Sequence, residues 1–197
     1  VLFDVNPVVF AGDGVESAVD ILQNTAIDGY VLRMALRANN LRLYNSLIYC
    51  KLRQVFGMNK DIPAERPNVI GKYISAGFRE TYRSYTPFSG VTRRRDVISP
   101  VQLQAFDRIL AVLKRKGIPY VLVQSPVTAS YYNKRENNDE ADSLFASRGP
   151  YYNFNKLQHL PDSLFYDDEH LNQKGVEKFD KNLLEVVYKR ENKSARK

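Results

Sequence analysis

The clearest pattern of apolar and polar positions runs from residue 99 to 126. Val101, Leu103, Phe106, Ile109, Leu110 and Leu113 recur at near-helical spacing, Ser99 can cap the first turn, Pro100 suits it, and Gly117 ends it. This spacing predicts a helix from 99 to 116. The run IPYVLVQSP that follows is continuously apolar, as in a strand covered on both faces, and stops at Ser125-Pro126. A helix feeding a buried strand is half of a βαβ unit, whose partner strand is parallel and reached by a right-handed crossover. The pattern therefore predicts an α/β sandwich.

Elsewhere the same reading gives a second strand in VLFDVNPVVF, interrupted at Asn6-Pro7, and a turn in AGDG. Helical stretches are expected over 15–23 and over 27–56, the latter carrying Tyr30, Leu32, Leu36, Leu43, Leu47 and Leu52 among its apolar positions. Between 57 and 98 the periodicity gives way to Gly, Pro, Arg and Tyr, which reads as a long surface excursion. Residues 127–150 begin as a polar loop at the carboxyl end of the buried strand, where ligand crevices form in parallel sheets. YYNFNKL and SLFYDDEH lead into a last short strand. A closing helix over 172–190 places Val176, Phe179, Leu183, Leu184 and Val187 on one face.

Composition adds bounds. With 197 residues, 44% hydrophobic and 26% charged, the chain is long enough to bury a core and is expected to form a single domain over 1–190, followed by a basic tail over 191–197. No window approaches the roughly 18 to 20 continuous apolar residues of a membrane span. The chain opens on an apolar run without Met, which predicts further sequence upstream. Cys50 is the single cysteine; it excludes an internal disulfide and, among apolar neighbours, reads as a packed core residue. The 29 Lys and Arg against 22 Asp and Glu give a net charge of +7, which favours anionic partners. Much of that excess lies in the terminal YKRENKSARK.

The chemistry-bearing stretch is FYDDEHLNQKG, 165–175. Asp167 and His170 are three residues apart, so on one turn the carboxylate can accept the imidazole N–H and fix its tautomer. That is the base and orienter of an acyl-transfer triad whose third member is a hydroxyl nucleophile from elsewhere. The competing reading is an acidic helix start, with Asp167, Asp168 and Glu169 favouring the macrodipole and His170 on the surface.

Asp167-Asp168-Glu169-His170-Leu171-Asn172-Gln173-Lys174-Gly175, followed by an amphipathic terminal helix, resembles the last sequence block of the SGNH, or GDSL-type, hydrolase superfamily. GIPYVLVQSP resembles that family's penultimate βα unit. The resemblance covers roughly the last hundred residues. It implies a three-layer α/β/α flavodoxin-like domain with a mostly parallel sheet, and a serine esterase or O-acyltransferase in which His170 is the base and Asp167 its orienter. It implies no metal or organic cofactor. The substrate is a small-molecule or carbohydrate ester, the location extracytoplasmic, and a membrane anchor, where there is one, lies outside this chain. The alternative is a non-catalytic α/β domain of the same ancestry that binds a glycan or a partner protein.

The family's Gly-Asp-Ser block does not occur. Gly12-Asp13-Gly14 puts glycine where the hydroxyl belongs, and Ser17 lies about a turn away. Either the first block has decayed, or VLFDVNPVVF is a later strand and the nucleophile lies before Val1. The family's Gly-x-Asn-Asp block is also unrecognisable, so the oxyanion donors are open. His159, in LQHLPDSLF, lacks the short spacings of zinc sites and reads as a satisfied or exposed histidine. FRETYRSYTPFSGVTRRRD, 78–96, interleaves arginine with Tyr and Phe as nucleic-acid binders do. Without a recognition motif it reads as a solvated loop, and nucleic acid is not an expected partner.

Overall fold

The structure, a computed structural model, describes residues 1–58, 72–74, 78–90 and 92–194. The remainder of the excursion and the last three residues of the basic tail lie outside the described residues. The chain combines helices with a small parallel sheet and is α/β. Its contacts fall into two compact units, one of residues 1–7, 68–97 and 109–197, the other of 8–67 and 98–108.

In the first unit, β1 (Leu2–Asp4), β4 (Val121–Gln124) and β5 (Tyr151–Asn153) form a parallel sheet in the order β1-β4-β5. Strand β4 is central. Its successive residues Leu122 and Val123 are both buried although they point to opposite faces, which is the signature of a strand covered on both sides. Two further strands, β2 (Lys72–Ile74) and β3 (Phe78–Glu80), pair as an antiparallel ribbon.

Helices α6 (Ala129–Asn133) and α7 (Asn138–Ala146) occupy the stretch expected to begin as a polar loop, α8 (Phe154–Leu157) follows β5, and α9 (Gln173–Ser194) closes the chain. Val123, Phe154 and Phe179 form one buried cluster, with Leu171 and Leu183 packed against it. The Phe154 and Phe179 rings meet edge to face at 5.0 Å, a favoured aromatic geometry.

The second unit is helical: α1 (Pro7–Ala11), α2 (Val15–Asn24), α3 (Gly29–Ala38), α4 (Leu41–Val55) and the start of α5 (Pro100–Arg115). Its core is Val15, Ala18, Val19, Leu22, Val31, Ala35 and Leu43, with the half-buried Cys50 packed against it. VLFDVNPVVF is therefore a strand only over Leu2–Asp4, because Pro7, with its fixed φ and no N–H to give, starts α1. The expected helix over 27–56 is two helices. Asn39 adopts a left-handed φ of 45°, and the Asn40 side chain accepts the Arg42 and Leu43 N–H groups to start α4 anew. Helix α5 ends as the sequence predicts: Gly117 takes φ 64° and the Ile118 N–H returns to the Leu113 carbonyl at 3.0 Å.

Candidate active site

Residues 165–172 form a tight turn closed by a Phe165–Leu171 bridge and by the Tyr166 N–H donating to the His170 carbonyl. Leu171 anchors one end in the core cluster around Phe179. Asn172 anchors the other. Its amide donates to the Ser163 and Phe165 carbonyls at 2.8 and 3.2 Å, and its Oδ1 accepts the Gly175 N–H at 3.1 Å, capping α9. Gly175 is glycine for a steric reason: a Cβ there would sit 2.0 Å from the Leu164 carbonyl oxygen. Leu171, Asn172 and Gly175, the fixed residues of the Leu-Asn-x-x-Gly block, thus each have a local task in holding the turn.

Within the turn, Asp167 Oδ1 accepts the Glu169 and His170 backbone N–H groups at 2.9 and 2.8 Å. The same carboxylate meets His170 Nδ1 at 2.9 and 3.0 Å through its two oxygens. An ionised carboxylate only accepts, so Nδ1 carries the proton and the Nε2 lone pair is presented outward. No hydrogen bond from a described residue engages Nε2. The Tyr166 ring stacks on the imidazole at 5.3 Å and 12°. The His170 side chain is 57% exposed and that of Asp167 18%. The structure therefore brings the two predicted site residues together, with the ring open to solvent.

The neighbouring acids serve other partners. Asp168, buried, accepts from the Tyr85 hydroxyl at 2.6 Å, the Phe88 N–H at 2.9 Å and the Thr128 hydroxyl at 3.2 Å, and its carbonyl accepts the Thr128 N–H at 3.0 Å. Burial pushes its carboxyl up, but the bonds from Tyr85, Phe88 and Thr128 outweigh it and hold the pKa below the ordinary value. The Tyr85 hydroxyl, donating to that carboxylate, is pushed up to about 12. Glu169 accepts from the Tyr131 hydroxyl at 2.5 Å. Burial first, then this bond, raises the Tyr131 pKa. Because Thr128 lies four residues beyond the end of β4, these contacts fix the turn against the segment leaving the carboxyl end of the sheet, the crevice side of parallel α/β sheets.

Sequence reasoning missed the strap that completes this support. Residues 81–88 run along the turn: the Thr86 N–H donates to the Tyr166 carbonyl and the Gln173 N–H to that of Thr81. The three consecutive arginines have distinct surroundings. Arg94 lies over the Tyr131 ring at 3.9 Å and beside Asp96 at 3.4 Å, Arg95 pairs with Glu140, and Arg93 is exposed. Arg135 is buried against Asp96 at 2.6 Å and reaches Asn6 just beyond β1. The one available signal was Asp96 itself, an acid closing a basic run.

His159 lines a cavity of about 300 Å³ with Val127, Tyr132, Asn133 and Asn155, beyond the carboxyl ends of β4 and β5. Gly12-Asp13-Gly14 is a helix-starting turn. Asp13 accepts the Val15 N–H at 2.9 Å, and Gly14, at φ 75°, precedes α2, on which Ser17 is exposed. Among the described residues no cluster of three or more His, Cys, Asp or Glu side chains is placed to hold a metal ion. Compared with protein-family models, curated proteins and solved structures, the chain matches none.

Proposed function

We propose that this chain is a serine esterase or O-acyltransferase domain of the SGNH type, built on a three-layer flavodoxin-like sheet. The observation that carries the reading is the two-oxygen contact of Asp167 with His170 Nδ1, which leaves Nε2 without a hydrogen bond among the described residues, on an exposed ring. Such a ring takes the proton of a serine hydroxyl as its oxygen attacks an ester carbonyl. It then returns the proton to the departing alkoxide, leaving an acyl-serine that water or an acceptor hydroxyl resolves. Asp167 stabilises the imidazolium between those steps. The side chains place no serine hydroxyl within hydrogen-bond reach of Nε2 among the described residues, so the nucleophile is the member the geometry does not name. The reading carries with it an ester substrate such as an acylated carbohydrate, an extracytoplasmic setting and no requirement for a cofactor.

The test is hydrolysis of p-nitrophenyl acetate by the protein as the cell makes it. Turnover should fall to background in His170→Ala and drop by about 10⁴ in Asp167→Asn, which would hold the ring in the wrong tautomer. Wild-type turnover that is absent, or unchanged by His170→Ala, overturns the reading. The alternative would then stand: a non-catalytic domain that binds a glycan or partner, with glycine at position 14 where the hydroxyl should be.

A further inference from the structure

Helices α3 and α4 carry a feature that the histidine site does not use. Residues 29–58 include Arg33, Arg37, Arg42, Lys51 and Arg53 but no Asp or Glu. The same stretch exposes large apolar side chains. On α4, Leu41, Ile48, Leu52 and Val55 are between 50% and 74% exposed.

At about 100° per residue these four fall on a single stripe. It lies opposite the face that buries Leu43 and packs Leu47 and Cys50 into the helical core. The same rotation puts Arg42 and Arg53 on one flank of the stripe and Lys51 on the other, with Tyr49 and Phe56 beside it. Arg53 lies 5.6 Å over the Tyr49 ring. On α3, Leu32 and Leu36 are likewise exposed. A helix with one face in the core, the other apolar and basic side chains along its borders is built for a low-dielectric surface that carries negative charge.

We propose that the α3–α4 hairpin docks on an anionic lipid surface, with α4 lying in the plane of the interface. At 15 residues α4 is too short to span a bilayer, which takes about 20. Lipid fits better than the other occupants. Two copies meeting through this face would oppose stretches of like charge, which Glu16, 3.6 Å from Arg42, offsets only in part. Phosphate contacts of nucleic acid would engage the arginines but leave the Leu, Ile and Val stripe in water. Lipid satisfies both parts, since acyl chains cover the stripe while Arg and Lys reach headgroup phosphates.

The experiment is co-sedimentation of the whole chain with vesicles of phosphatidylcholine mixed with phosphatidylglycerol, against phosphatidylcholine alone, at low and high salt. Binding should require the anionic lipid and weaken with salt. It should weaken about 25-fold in Arg33→Gln/Arg37→Gln, since each cation near an anionic surface contributes about fivefold. Ile48→Asp/Leu52→Asp should abolish it with the helical circular dichroism retained. The exposed charge variant keeps the test decisive should the second variant unfold. Failure to bind anionic vesicles, equal binding to neutral ones, tighter binding to duplex DNA, or a dimer broken by Ile48→Asp/Leu52→Asp would each overturn the proposal.

Discussion

Gly175→Ala offers the sharpest check on how the turn is held. In an ordinary helix this change stabilises by about 1 kcal/mol, because alanine loses less backbone entropy than glycine. Here the added methyl would meet the Leu164 carbonyl oxygen at 2.0 Å, with Leu171 Cδ2 at 2.9 Å. The obstructing atom is backbone, so it cannot rotate aside, and this segment of the turn must withdraw by about 1.5 Å to reach ordinary contact. Overpacking of this kind costs about 1–3 kcal/mol. Withdrawal also strains the bond in which that same oxygen accepts the Asn172 N–H at 3.0 Å, a further ~1 kcal/mol. Set against the helical gain, the net loss is about 2 kcal/mol, a fall in Tm of about 4–8 °C for a chain this size. Differential scanning fluorimetry and urea unfolding read the stability, and the ¹⁵N shifts of the His170 ring report whether the turn has moved. A variant as stable as the parent, with an undisturbed ring, would show that the Leu164 contact does not constrain the turn.

Two further outcomes follow from buried charges. The folded pKa of Asp168 lies below its unfolded value, so its stabilising contribution is complete above the unfolded value of about 4 and is lost as pH falls through the folded one. Wild-type Tm should therefore decline below pH ~4, and Asp168→Asn should show a lower Tm at neutral pH with a shallower decline in acid. Arg135→Ala would leave Asp96 buried with Arg94, at 3.4 Å, as its remaining cation among the described residues, at a cost of about 3 kcal/mol in urea unfolding. Asp96→Asn in the same background should restore part of that loss.

Sequence patterns were informative wherever one apolar face decides the structure. Helices α2 and α5 lie within a residue of their expected limits, and β4 sits inside the predicted buried run. They failed where polar chemistry decides. The apolar period runs through 27–56 without a gap, yet two successive asparagines end one helix and cap the next. Helix α7 buries only Ala141 and Phe145, a single i, i+4 pair, so its polar surface disguised it as a loop. The Asp167 and His170 pairing was legible because it is local, three residues on one turn. The supports from Tyr85, Phe88 and Thr128 were not, since they come from 40 to 83 residues away and no spacing encodes them.

The three acids before His170 hold different groups: Asp167 the imidazole, Asp168 the Tyr85 and Thr128 hydroxyls, Glu169 the Tyr131 hydroxyl. Their order leaves no slack. Inserting or deleting one residue between Asp167 and His170 would take at least one of these groups off its partner, so the segment's length is as constrained as its composition. Homologous loops able to present the same imidazole would have to share that length even where every surrounding surface residue had drifted.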